Sequence, residues 1–106
     1  MDRSLAPREL RPFLDESGRL RQWPTRLKVQ RMAAALLARE FDARREYTEA
    51  QINELLLEHH TFGDWALLRR FLVDNRFLER ETDGSRYRLL PEAPERIDEA
   101  LGALPG

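Results

Sequence analysis

The spacing of apolar residues along the chain is helical for most of its length and then shortens abruptly. Between Thr25 and Phe41, the residues Val29, Met32, Ala33, Leu36, Leu37 and Phe41 fall at i, i+3, i+4, i+7, i+8 and i+12. That is one stripe of an amphipathic helix. Lys28, Arg31 and Arg39 lie off it, and Asp42–Arg45 ends it. A second helix starts at Thr48, where Thr48-Glu49-Ala50-Gln51 is a capping box and Tyr47 with Ile52 can form a hydrophobic staple. Ile52, Leu55 and Leu56 form its inward face. His59–Gly63 is a short connection of helix-turn-helix length. A third helix runs from Asp64 to Asp74, with Leu68, Phe71 and Leu72 on one side and Trp65 flanking them. Asp64 or Thr61 can cap it. Asn75, which tolerates positive φ, is the expected terminator.

After Asn75 the pattern becomes two short alternating runs, Phe77–Thr82 and Ser85–Leu90, around Asp83-Gly84. An Asp-Gly pair there predicts a two-residue type I′ hairpin. Such a turn sets Thr82 opposite Ser85, Glu81 opposite Arg86, Arg80 opposite Tyr87, Glu79 opposite Arg88 and Leu78 opposite Leu89. Glu46-Tyr47 can add a short third strand. Pro91 stops the hairpin. Pro94, Ile97, Ala100, Leu101 and Leu104 then predict a short C-terminal helix that packs on its own domain or on a partner subunit. Residues 1–12 contain Pro7 and Pro12 and no clear period, so they read as an arm with a helical turn at Arg8–Arg11. Asp15-Glu16-Ser17-Gly18 is a turn. The predicted class is mainly α with a small β-hairpin, α+β. The predicted architecture is a winged helix-turn-helix with three core helices and a two- to three-stranded wing. The arm spans 1–12, the domain 13–90, and the tail with its short helix 91–106.

Composition narrows the function. The 106 residues suffice for one domain with one modest core. There is no cysteine, which excludes disulfides and thiolate chemistry. No apolar run approaches the roughly 18 residues of a membrane span. Met1-Asp2-Arg3-Ser4 lacks the apolar core of a signal peptide, so a cytoplasmic location and no membrane partner are expected. Net charge is −1, but unevenly spread. Residues 1–16 carry three arginines against four acids and residues 91–106 one against four, which leaves 17–90 at +3. A mildly basic body with an acidic tail is compatible with nucleic acid without announcing it.

Specific residues also resemble a known family. Phe13-Leu14-Asp15, Gly18-Arg19-Leu20, Trp23-Pro24, Phe41, Tyr47-Thr48-Glu49, Ile52-Asn53, Leu68-Arg69-Arg70, Leu72-Val73-Asp74, Leu78, Arg80, Asp83-Gly84-Ser85 and Tyr87 are similar to the bacterial domain-of-unknown-function family numbered 2087. Its members are small domains found alone or attached to helix-turn-helix transcriptional regulators. The resemblance covers residues 13–88. It implies a winged-helix-like fold and a link to transcription regulation, and it supplies no catalytic residues. The chain departs from the family pattern at Phe71, usually polar, and at Arg76, usually Gly. The second departure shifts the helix-ending role to Asn75.

Two functional classes follow. In the first, the domain binds double-stranded DNA. The outward face of the third helix is Gly63, Ala66, Arg70, Val73 and Asp74, with Arg69 at its flank. Arg70 can reach a guanine or a phosphate, or pair with Asp74 four residues on. The wing arginines Arg86 and Arg88 face Glu81 and Glu79, which cancels much of their field. Arg80 against Tyr87 reads as a packing pair. The densest positive run is Arg19, Arg21, Arg26, Lys28 and Arg31, with no acid between residues 19 and 31 and Trp23 among them. It is a phosphate-binding candidate or simply a solvated helix face. In the second class, Phe71, Val73, Phe77 and the apolar side of Ile97–Leu104 make a module that binds a regulatory protein or a second copy of itself. Catalysis is not expected. His59-His60 point about 100° apart on a helix, no second cluster completes a site, and the chain has no Gly-rich phosphate loop, GxSxG or HExxH. No cofactor or metal is called for.

Overall fold

A computed structural model describes residues 3–102. Two 3-10 turns, Arg3–Leu5 and Arg11–Phe13, precede helix α1 (Leu27–Ala38). Helices α2 (Glu49–His59) and α3 (Trp65–Asp74) follow, then strands β1 (Leu78–Arg80) and β2 (Tyr87–Leu89), then α4 (Ala93–Leu101). Four helices and a two-stranded antiparallel hairpin make an α+β fold. The element order is compatible with the winged arrangement. No described helix is long and apolar enough to cross a membrane.

Helix α1 is the hub. Its whole predicted stripe is buried, and so are Ala34, Ala35 and Ala38 off the stripe. A helix apolar on most of its circumference must be covered on most of it. The alanines let neighbouring backbones come close, and α1 packs most extensively on α4 and also on α3. Ala93, Ile97 and Leu101 of α4 are buried, so the C-terminal helix belongs to its own domain. Leu104 lies outside the described residues. Phe77 is buried too, while Phe71 and Val73 are partly buried against the core. The apolar surplus inferred for a partner surface is therefore mostly internal.

Helix α2 begins as its capping box requires. The Thr48 hydroxyl accepts from the Gln51 amide at 3.2 Å, and the Gln51 side chain accepts from the Thr48 amide at 2.9 Å. Tyr47, one residue earlier, forms a single antiparallel bridge with Tyr87, each amide donating to the other's carbonyl at 2.8 Å. This is the third strand reduced to one residue pair. The hairpin register is the predicted one: Leu78 opposite Leu89, Glu79 opposite Arg88, Arg80 opposite Tyr87. The turn differs from the type I′ expectation. Gly84 has φ +77°, but Asp83 does not share its positive φ. Instead the Gly84 amide closes on the Glu81 carbonyl at 2.8 Å, and the Asp83 carboxylate accepts from the Ser85 amide at 2.9 Å and the Ser85 hydroxyl at 2.7 Å. An Asp side chain that organises its own turn removes the need for two left-handed residues.

The end of α3 also corrects the sequence reading. Asn75 has φ −97°, and Arg76 is the left-handed residue, with φ +63°. The Arg76 amide donates to the Val73 carbonyl at 3.1 Å and the Phe77 amide to the Leu72 carbonyl at 2.9 Å. These are the two bonds of a Schellman ending, with buried Leu72 and Phe77 as its apolar clasp. The geometry of that motif places the positive φ one residue after the helix cap, whichever residue stands there. The Asn75 side chain instead donates to the Phe71 carbonyl at 3.1 Å.

The N-terminal segment is more than an arm. Ala6 and Leu10 are buried in the common core. Leu14 and Leu20 bridge across the Asp15–Gly18 turn, and Leu20 bridges on to His60. The Leu20 amide donates to the His59 carbonyl and its carbonyl accepts from the Thr61 amide, both at 2.9 Å. The connection between α2 and α3 is thus clamped from outside. His60 is buried there, and its Nδ1 donates to the Leu56 carbonyl.

The left-handed Arg76 gives a direct test. A side chain in that region costs about 1–2 kcal/mol that glycine avoids. Its ion pair with Glu92, at 3.4 Å between exposed side chains, returns little. Arg76→Gly is expected to raise stability by about 1 kcal/mol, read as a higher urea midpoint at unchanged m-value.

Candidate nucleic-acid interface

The outward side of α3 is the floor of a recess of about 750 Å³. Ala66, Leu67, Arg70, Val73 and Asp74 line it from α3, Arg80 and Tyr87 from the hairpin, and Trp23 from the segment before α1. The hairpin register explains Arg80. It alternates with Glu79, so its side chain leaves the opposite face of the ribbon and lies over the Tyr87 ring at 5.8 Å. Trp23 is fixed edge-to-face on Phe71 of α3, centroids 5.0 Å apart. Three guanidinium groups, those of Arg69, Arg70 and Arg80, share this recess with the single acid Asp74.

The three differ in freedom. Arg69 is held from below: its guanidinium donates to the Asn53 carbonyl oxygen at 2.6 Å and lies 3.7 Å from the Glu49 carboxylate. Glu49 also accepts from the Tyr87 hydroxyl at 3.1 Å. Burial and that bond to a carboxylate raise the Tyr87 pKa above its ordinary value of 10.0. The Tyr87–Glu49–Arg69–Asn53 chain joins hairpin, α2 and α3. Arg80 rests on Tyr87. Arg70 is exposed and has no partner among the described residues, so the pairing with Asp74 does not form.

The basic run before and within α1 is less open than its sequence suggests. Acids from outside the run reach it. Arg19 pairs with Asp15 at 3.0 Å, and Lys28 with Glu9 at 3.2 Å. Arg21 donates to the Pro12 carbonyl at 2.8 and 3.2 Å. Of the run, Arg26 and Arg31 remain exposed without a partner among the described residues. Lys28 and Arg31 line a different groove, about 470 Å³, between α1 and α4, where Arg96 lies 5.5 Å over Phe77. The seven arginine and lysine candidates therefore divide. Arg69 and Arg70 share one recess with Trp23, and Lys28 and Arg31 another. Arg19 and Arg21 serve the N-terminal turn, and Arg26 is exposed and lines neither recess. On the wing, Glu79 and Arg88 pair at 3.0 Å as expected, while Glu81 and Arg86 meet through the backbone at 2.9 Å without an ion pair.

Sequence reading missed Arg80 and Tyr87 as recess residues, because the cross-strand pairing that identifies them as neighbours also reads as simple packing. The available signal was their face: they project opposite to the Glu79–Arg88 pair, toward α3. Among the described residues, no group of three His, Asp or Glu is arranged to hold a metal.

The Asp15 turn supplies a pH test. Partial desolvation opposes ionisation of Asp15, but bonds from the Arg19 amide and the Ser17 hydroxyl, with the Arg19 guanidinium, outweigh it and lower the carboxyl to about 2. A carboxylate so lowered stabilises the fold fully above its ordinary value of 3.8, and that contribution disappears as pH falls toward 2. In urea unfolding from neutral pH down through that range, Asp15→Asn is expected to be the less stable protein at the neutral end. The gap to the unaltered protein should close at the acid end.

Neither the curated proteins nor the solved structures contain a match to this chain. The family described as "Uncharacterized protein conserved in bacteria (DUF2087)" matches residues 19–89, which takes in α1 to α3 and the complete hairpin, well over half of the chain. The chain belongs to that family.

Proposed function

We propose that this is a non-enzymatic bacterial regulatory domain that contacts DNA through the recess between α3 and the hairpin. The observation that carries the reading is the sharing of one recess by Arg69, Arg70 and Arg80, with Asp74 the one acid in its lining, Glu49 behind Arg69, and Arg70 without a partner among the described residues. Guanidinium groups on a helix and an adjacent hairpin suit successive phosphates of one strand, and phosphate contacts supply most of sequence-independent affinity. The helix–connection–helix–hairpin order supports the same use. The basic run of α1 is the weaker candidate surface, because its cations divide between the N-terminal turn and a separate groove between α1 and α4. The two histidines support no catalytic role: His59 stands 3.8 Å from Glu40 at the surface and His60 is buried.

A second reading is favoured by one observation. Leu57, Trp65 and Leu67, on α2 and the first turn of α3, are the exposed large apolar side chains of this region, and they suit a regulatory protein or a second copy.

Fluorescence anisotropy with random-sequence DNA at about 50 and 200 mM salt separates the two. Binding at low salt that weakens steeply with salt is expected. Arg70→Ala should reduce the slope of log affinity against log salt by about 0.9, one phosphate contact. Arg70→Glu/Arg80→Glu should weaken binding at least about tenfold, while Arg26→Glu/Lys28→Glu/Arg31→Glu changes it little. The opposite result moves the contact surface to α1. No binding at low salt overturns the DNA reading and favours the interaction module.

A further inference from the structure

The contact just described concerns the phosphate backbone, which paired and unpaired DNA share. We infer that the recess holds an unpaired strand, with Trp23 as a stacking surface for a base. The inference rests on the DNA reading above and specifies its substrate.

Shape is the first ground. A helix that reads a major groove, about 12 Å wide, must stand proud of its surroundings to enter it. The outward residues of α3 do the reverse: Ala66, Arg70, Val73 and Asp74 line a recess together with Trp23, Arg80 and Tyr87 from outside the helix. A single strand can descend into such a recess, whereas a duplex presents only its rim. Chemistry is the second ground. Reading base pairs needs donors and acceptors along the helix, and in this lining α3 offers Arg69, already bonded to Asn53 and beside Glu49, with Arg70 and Asp74, set among Ala66, Leu67 and Val73. Apolar and aromatic surface beside guanidinium groups matches the π-face of an unstacked base instead. In a duplex those faces are hidden between neighbouring base pairs. Geometry is the third. Trp23 contacts Phe71 edge-to-face, interplanar angle 76°, an arrangement that leaves at least one face of the indole clear of Phe71. It belongs to the lining together with the arginines that would hold the flanking phosphates.

The chain has two tryptophans, Trp23 and Trp65, so a Trp65→Phe protein reports Trp23 alone. It is titrated at low salt with a twelve-nucleotide oligothymidylate and with a twelve-base-pair duplex. Trp23 emission should be quenched by the single strand, which binds about tenfold more tightly than the duplex. Ala66→Glu, an exposed floor position that tolerates a helix former, should abolish the quench while circular dichroism stays unchanged. Equal or tighter duplex binding, with Trp23 emission unmoved by the single strand, overturns the inference and leaves the DNA reading standing. Failure of both DNAs to bind overturns the two together.

Discussion

Tyr87 is the residue on which the geometry of the recess depends. Its backbone exchanges two hydrogen bonds with Tyr47, which fixes the hairpin to the start of α2. Its hydroxyl donates to Glu49 in the first turn of that helix. Its ring carries Arg80 from the facing strand. Through Glu49 it also reaches Arg69, so α3 joins the same chain of contacts. A three-residue hairpin has little stability alone, because a two-stranded ribbon buries too little apolar surface. Here Tyr87 anchors it by backbone, hydroxyl and ring together, and Leu78 and Leu89 are buried in the core beside it.

Beneath that junction lies the alanine-lined α1. Burial of Ala33, Ala34, Ala35 and Ala38 contributes little apolar area per residue, but it lets two helices approach the same segment. The wider side chains, Val29, Met32, Leu36 and Leu37, then fill the space between them. A chain of this length has one core only, and each peripheral segment supplies part of its cover.

How much of this was legible in the sequence depends on the range of the interaction. The stripe of α1, the capping box at Thr48 and the hairpin register are set by neighbours a few residues apart, and all were readable. Positive φ at Arg76 was not, since the residue type argued against it and only the closing bonds to Val73 and Leu72 require it. The hairpin turn was misread for a related reason: the Asp83 side chain substitutes for a backbone conformation that the Asp-Gly pair suggests. Charge was harder still. The run from Arg19 to Arg31 holds no acid, yet Asp15 and Glu9 fold back onto it. Recess and groove are products of such long-range pairings, which bring Arg69, Arg70 and Trp23 to one surface and Lys28 and Arg31 to another.

The clamp at Leu20 bears on how such a domain can be moved between proteins. The family match opens at residue 19, just before the Leu20 that clamps the α2–α3 connection, but Leu20's own bridge partner Leu14 and the buried Leu10 and Ala6 lie farther upstream. A fusion joint placed at the match boundary would leave Leu20 without its Leu14 partner and open the core beside His60. The transplantable unit therefore begins before the segment by which the family is recognised. Its first residues are inherited for folding and not for binding.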